Sequence, residues 1–437
     1  MDKVMMNDEK WNTTLIKERL QNQDIKFQEM LLDVYVDSQK IEYQRKRYYK
    51  AIETFEESYG VGEIEIYSAP GRSEIGGNHT DHQHGQVLAA AINLDAIAIV
   101  RPINQLIVEI ISDGYDKVVV NLNALEKQEE EKETTTALIK GVLAGLQKQG
   151  YVLGGFQAYI TSDVLIGAGL SSSAAYETLI GTIVSGLYNQ GCVSAVTIAE
   201  IGQFAENEYF GKPCGLMDQM ACSVGSLVHI DFADITSPVI EKLEMDIEHY
   251  GYSLCITDTK GSHADLTSDY AAIPLEMKQI ATFFGKDVLH DVTKEQVLEN
   301  MNQLRKLAGD RAVLRAFHFF NENVRVEQEV HAIQAGDIQT FLMQVKASGD
   351  SSYKYLQNIY SNADVKQQNM SLALMLSEMI LGDQGACRVH GGGFAGTIQA
   401  FVKNEIVDNY KRQMNQVFGE DACKVLKIRK YGGMKIL

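Results

Sequence analysis

Positive charge is scarce in this sequence. Over 437 residues, 40 Lys and Arg stand against 58 Asp and Glu, a formal charge of −18. General binding to nucleic acid or to an anionic membrane needs a basic face. The balance therefore argues against both, and a basic site has to be local. Cysteines are few. Cys192, Cys214, Cys222, Cys255, Cys387 and Cys423 form no C-x-x-C pair. They read as reduced, mostly buried thiols of a cytoplasmic protein. A chain of this length also needs no disulfide or metal staple. The first residues, 1–13, are acidic and polar, unlike a signal peptide. The longest apolar run, 87–100, is broken by Asn93 and Asp95, which leaves no transmembrane helix. No G-x-x-x-x-G-K-[ST] is present, so there is no Walker loop.

What remains is ordinary globular composition, 45% hydrophobic and 22% charged. The length allows about two or three domains. Residues 1–60 read as helical, with a stop at Gly60. Residues 63–67 alternate as a strand, and Pro70-Gly71 marks a turn after it. Buried strand over 87–100, further strands near 107–111 and 117–121, and a helix near 135–149 follow. Residues 156–162 alternate again. Helices are expected over 171–188 and 197–210, and strands over 226–231, 252–258, 397–402 and 422–428. Strands and helices do not alternate regularly, which favours α+β over a doubly wound sheet. The expected organisation is an N-terminal helical extension, 1–50, then two domains, 51–240 and 241–437.

Four segments carry candidate chemistry. Gly167-Ala168-Gly169-Leu170-Ser171-Ser172-Ser173-Ala174 places glycines before a helix start. Free N–H groups and the positive end of a helix dipole there suit an anion, and serine hydroxyls add donors or one Mg²⁺ ligand. An N-capped helix after a flexible turn has the same pattern. Residues 69–85 pack Arg72, Asn78, His79, Asp81, His82 and His84 into a glycine-rich stretch between strands. Such groups suit recognition of hydroxyls. In Gly215-Leu216-Met217-Asp218-Gln219 a lone carboxylate stands among small and apolar residues. It is a buried acceptor or a base. Glu206 lies on the preceding helix. Arg388-Val389-His390-Gly391-Gly392-Gly393 puts glycines before a strand, where backbone can approach a ligand closely.

In this order the four segments resemble the GHMP small-molecule kinases, and most closely the galactokinases. The likeness runs from about residue 50 to the C-terminus. It implies an α+β, two-domain architecture with the active site in the cleft between domains. It also implies Mg²⁺, with ATP and a sugar as substrates. Asp218 resembles the base that takes the proton of the anomeric hydroxyl, and Arg72 the arginine that keeps this base ionised. Gly167, Gly169, Leu170, Ser171, Ser172 and Ser173 resemble the loop around the ATP phosphates. Ser173 and Glu206 resemble the Mg²⁺ ligands. Asn78, His79, Asp81, Gly391, Gly392 and Tyr270 resemble sugar contacts.

The usual galactokinase motif reads like G-R-V-N-L-I-G-E-H-T-D-Y. Here Asn78 replaces its acidic residue and His82 its aromatic. Leu165 stands in place of a proline, and Ala395 in place of a glycine. An amide both donates and accepts, so Asn78 suits a C6 hydroxyl and would repel a C6 carboxylate less than glutamate does. Galactose is the first expectation. Galacturonate, N-acetylgalactosamine, arabinose and a catalytically inactive sensor are the alternatives. Oligomeric state is not encoded in any feature of the sequence.

Overall fold

The structure is a computed structural model that describes residues 11–164, 169–212, 214–261 and 266–437. Helices α1 (Thr13–Gln21), α2 (Ile25–Tyr35) and α3 (Ile41–Tyr59) come first. Tyr48, Ala51, Ile52 and Phe55 of α3 recur at helical spacing and are buried, and the helix stops at Gly60. Strands β1 (Glu65–Gly76), β2 (Gln86–Ile103), β3 (Ile107–Ser112) and β4 (Val118–Asn121) follow, then α4 (Thr135–Lys148) and β5 (Gly155–Ser162). Next are α5 (Ser172–Tyr188), α6 (Ala195–Phe204), a π-helical turn over Ala205–Phe210, and α7 (Met217–Val224). Strands β6 (Leu227–Asp231) and β7 (Val239–Leu243) complete this part.

One sheet runs β12-β1-β2-β5-β3-β4, with β6 added on β2 and β7 on β6. Its β12 (Met434–Lys435) comes from the far C-terminus and pairs with β1. All pairs are antiparallel except β3 with β5. The sheet is covered on both faces. Tyr67, Ala69, Ala96, Ala98 and Val100 share a core with α4, α5 and α6. The alternate residues Ile66, Ile97 and Ile99 share another with α1, α2 and α3. That is why the 87–100 run is apolar without alternation: each face of the strand meets a helical layer.

A second sheet has the order β11-β8-β10-β9, from β8 (Tyr252–Asp258), β9 (Ala386–His390), β10 (Thr397–Lys403) and β11 (Cys423–Leu426). Between and around these strands lie α8 (Thr267–Phe283), α9 (Lys294–Glu299), α10 (Met301–Ala308), α11 (Asp310–Ala335), α12 (Ile338–Ser351), α13 (Asn369–Leu381) and α14 (Val407–Phe418). Residues of β1 and β2 pack with α11, α12 and the second sheet in a shared core. The α+β expectation matches this architecture. No described helix is long and apolar enough to cross a membrane.

Two local expectations are corrected. Pro70-Gly71 is no turn, because β1 runs on to Gly76. Its register against β2 shifts between Pro70 and Arg72, and such an irregularity tolerates a residue without an N–H. The helix expected over 197–210 is α-helical only to Phe204, then widens into the π turn. Strands β7, β9 and β12 are short and had no clear signal.

Candidate active site

The register shift in β1 aims Arg72 across at the first turn of α7. Arg72 Nε donates to Asp218 Oδ1 at 2.7 Å, and Nη2 donates to Oδ2 at 2.7 Å. Its Nη1 donates to the carbonyl of Gly169. The Arg72 backbone N–H donates to the carbonyl of Leu170 at 3.1 Å. So close an approach needs Gly71: a Cβ there would lie 2.8 Å from that Leu170 oxygen. The guanidinium is buried, while the Asp218 side chain is one-third exposed. Burial pushes the Asp218 carboxyl up. The charge and hydrogen bonds of Arg72, with a hydrogen bond from Ser171, outweigh it and hold the group below the usual aspartate range.

Ser171 opens α5 in the left-handed region, φ 59°, and makes no side-chain cap. Its hydroxyl donates to Asp218 Oδ2 instead. The first intrahelical bond is Ala175 N–H to Ser171 C=O, at 3.0 Å. The N–H groups at Ser172, Ser173 and Ala174 precede it, at the positive end of a helix of 17 residues. Backbone strain of this kind concentrates at functional sites. Leu170 contributes its side chain to the core and its carbonyl to Arg72. Gly167 lies outside the described residues.

The π turn after α6 turns Glu206 inward. Ser173 Oγ donates to Glu206 Oε1 at 3.2 Å, and exposed Lys212 reaches the same oxygen at 3.5 Å. Gln219 Nε2 donates to Glu206 Oε2 at 2.8 Å and to buried Glu177 Oε2 at 3.1 Å. Burial and the neighbouring Glu206 push the Glu177 carboxyl well up. Among the described residues no group of three His, Cys, Asp or Glu is placed to hold a metal alone. A hydroxyl and a carboxylate side by side at an uncapped helix start do fit Mg²⁺, which takes a few protein oxygens and completes its shell from phosphate and water.

The 69–85 segment and the glycine cluster after β9 form one wall. His79 Nε2 lies 3.0 Å from the carbonyl of Gly392 and donates to it. Burial and His82 lower the His79 pKa to about 4, so the ring is neutral and its Nδ1 is an acceptor. Asp81 Oδ1 accepts from the His82 N–H at 2.9 Å. Its Oδ2 sits so near the base-bearing segment that a Cβ at Gly215 would lie 2.0 Å away. Tyr270 donates its hydroxyl to the carbonyl of Gly393 at 2.7 Å and lies against Gly392.

Asn78 is placed differently from the expectation of a sugar contact. It is fully buried. Its Nδ2 donates to Glu74 Oε1 at 3.0 Å and to the Gly391 carbonyl at 2.8 Å. Its Oδ1 accepts from Asn358 at 2.9 Å and Ser352 at 3.2 Å. Both protons and both lone pairs are used within the protein, so the amide braces the wall. The carbonyls of Gly391 and Gly392 are likewise tied to Asn78 and His79.

Sequence reasoning gave no role to Glu74, Arg388 or His390. Arg388 is buried, ion-paired to Glu74, and donates to the Ile75 carbonyl at 2.7 Å. His390 Nε2 accepts from the Glu74 N–H at 3.3 Å, so its Nδ1 carries the proton and donates to Thr397 Oγ1 at 2.9 Å. Burial, with Arg72 and Arg388 nearby, pushes the His390 pKa well below its usual value. A glutamate and an arginine 314 positions apart give no local signal. The Arg388–His390 stretch beside the glycines was the only cue.

The Arg72–Asp218 pair thus lies beside the uncapped start of α5, a carboxylate acceptor next to free helix N–H groups. The description "GHMP kinases N terminal domain" matches residues 137–226, and "Galactokinase galactose-binding signature" matches residues 53–102. Galactokinase of Glaesserella parasuis serovar 5 is 31% identical over 369 residues, covering 82% of this chain and 92% of that protein. Galactokinase of Actinobacillus pleuropneumoniae serotype 3 is 30% identical over 377 residues, covering 83% and 94%. The chain belongs to the galactokinase family. In fold it is similar to Lactococcus lactis galactokinase, solved with galactose, at a TM-score of 0.75 and 24% identity over 88% of this chain and 98% of that one. Methanococcus jannaschii mevalonate kinase is a more distant neighbour, at 0.58 and 15% over 84% and 99%.

Proposed function

We propose that the protein transfers the γ-phosphoryl group of ATP to the anomeric hydroxyl of D-galactose, giving galactose 1-phosphate and ADP. The observation that carries it is the two-pronged Arg72–Asp218 pair against the start of α5. It sits in a chain whose curated relatives are galactokinases. Phosphoryl transfer asks a protein for positioning and charge neutralisation more than for covalent chemistry.

An ionised carboxylate has about four lone-pair sites. Arg72 takes one on each Asp218 oxygen and Ser171 takes the second on Oδ2. The remaining site is on Oδ1. The sugar hydroxyl donates there, Oδ1 takes its proton, and the oxygen attacks the γ-phosphorus as ADP leaves. The N–H groups of Ser172, Ser173 and Ala174 hold phosphate oxygens. Arg72 fixes the base and adds a positive charge beside the transferring group. Ser173 Oγ and Glu206 would hold Mg²⁺, which when bound neutralises phosphate charge. His79 and Asp81 accept from sugar hydroxyls, with Tyr270 at the edge of the same wall.

The buried, fully bonded Asn78 offers no support for a C6 carboxylate, so galactose stands ahead of galacturonate. We place the protein in the cytoplasm, in keeping with six free cysteines. An ADP-release assay with ATP, Mg²⁺ and a panel of sugars tests the proposal. Turnover on galactose is expected. Silence on galactose alongside turnover of another sugar would reassign the substrate, and silence on all would leave a non-catalytic binder.

A further inference from the structure

The helical layer formed by α1, α2 and α3 meets the strands behind Arg72 at a polar cluster centred on Arg47. Arg47 of α3 is buried, and it crosses to the middle of β2 and the end of β5. Its Nη1 donates to Asp95 Oδ1 at 2.6 Å and pairs with Asp163 Oδ2 at 3.1 Å. Its Nη2 donates to the backbone carbonyls of Asp95 at 2.8 Å and Thr161 at 3.1 Å. Tyr43, one turn earlier, donates to Asp163 Oδ1 at 2.7 Å.

These targets lie at two points that matter for phosphoryl transfer. Asp95 pairs with Pro70, where the β1 register shifts before Arg72. The Asp163 N–H donates to the Asp95 carbonyl at 2.9 Å, joining the two points. Asp163 directly follows β5. The next residue, Val164, is buried against Gly71, its Cγ1 2.9 Å from where a Cβ would stand. Asp95 also receives the Tyr35 hydroxyl at 2.9 Å and Arg429 Nη1 at 3.0 Å. A planar guanidinium holding two carboxylates and two carbonyls fixes their relative position, as a flexible ammonium cannot. Arg47 and Tyr43 precede residue 53, where the galactose-binding signature begins.

We infer that the N-terminal helical layer is part of the enzyme's phosphate-handling apparatus, with Arg47 and Tyr43 as positioning residues that act through Val164 and Gly71 on Leu170, just before α5, and on the Arg72 strand. This rests on the sugar-kinase reading for its kinetic arm only. Tyr43 touches Asp163 alone of the two carboxylates. Its loss therefore acts through Val164, Gly71 and Leu170 on the start of α5, and the loss of Arg47 acts at Pro70, beside Arg72, as well.

The test uses the full chain and two conservative variants, Tyr43→Phe and Arg47→Lys. Affinity for a non-hydrolysable Mg²⁺–ATP analogue is titrated, and KM for ATP, KM for galactose, kcat and melting temperature are compared. Tyr43 is half exposed, so Tyr43→Phe should melt within about 2 °C of wild type. Loss of a hydrogen bond to a charged group should weaken nucleotide binding about three- to tenfold, with KM for galactose and kcat unchanged. Arg47→Lys should weaken it further and lower kcat. Analogue affinities within twofold of wild type in both variants would overturn the inference, whatever their melting temperatures. If wild type binds the analogue but turns over no galactose, the sugar-kinase reading fails and the binding arm still decides. If wild type binds no nucleotide, both fail.

Discussion

Arg72 and Asp218 are joined by two hydrogen bonds of 2.7 Å, from Nε to Oδ1 and from Nη2 to Oδ2. The two residues are 146 positions apart, on β1 and α7. The pairing does two things at once. It keeps a partly buried carboxylate ionised, and with Ser171 on Oδ2 it leaves Oδ1 with a vacant lone pair. Neither residue would be set for its task without the other.

Asp218→Asn keeps the size and removes the proton acceptor. Turnover on galactose should fall about 10²- to 10⁴-fold. Affinity for a Mg²⁺–ATP analogue should stay near wild type, because the proposed phosphate site lies on α5. Steady-state kinetics and titration of the analogue check both. Near-wild-type turnover would remove Asp218 from the base role.

Arg72→Lys keeps a positive charge and loses the fork. A drop in kcat of about 10²-fold or more is expected. The pH profile should change as well. In wild type Asp218 is held below the ordinary aspartate range, so it stays ionised as pH falls until that lowered value is reached. Without the guanidinium, burial acts with less opposition and the folded-state pKa rises. The acid limb of kcat should therefore move to higher pH. A limb that stays put would mean Asp218 is not the group titrating.

Glu206→Gln keeps the hydrogen bond from Gln219 geometrically possible but removes a charge beside Ser173. The variant should need at least about tenfold more Mg²⁺ for half-maximal turnover, since removing an oxygen ligand's charge weakens a hard-cation site. Its KM for galactose should hold. Mg²⁺ titrations at fixed ATP give the answer, and an unchanged Mg²⁺ requirement would move the metal elsewhere.

The order of elements and the glycine-rich segments were legible because each is a local pattern. Alternation, helix stops and glycine runs all fall within a dozen residues. Which way a side chain points was not. Asn78 sits at a position that resembles a sugar contact, yet β1 turns it into the protein, where Glu74, Gly391, Ser352 and Asn358 use every bonding site it has. No local pattern in the sequence marks Arg47. Only the packing of α3 on the sheet shows that it reaches Asp95 and Asp163. The run 87–100 announced burial, but the second layer that covers it comes from residues far away in sequence.

The last case is Glu329, which reads in sequence as an ordinary charge in the long helix α11. It is fully buried, and neither carboxyl oxygen has a hydrogen-bond partner. It faces Gly76, where a Cβ would lie 1.9 Å from Oε2. Burial and the nearby Glu322 push its pKa well above the usual carboxylate value. A carboxyl raised in the folded state takes up a proton on folding, so stability falls as pH rises above the unfolded-state pKa, through the window up to the folded one. Glu329→Met keeps the volume and removes the unpaired polar group. It should stabilise the protein at neutral pH by about 1–3 kcal/mol. The gain should shrink as pH falls toward the ordinary glutamate range, where the wild-type group is protonated in both states. Urea unfolding at several pH values measures it. A variant that is less stable than wild type at pH 8, or a gain that does not vary with pH, would show that Glu329 has a partner in solution.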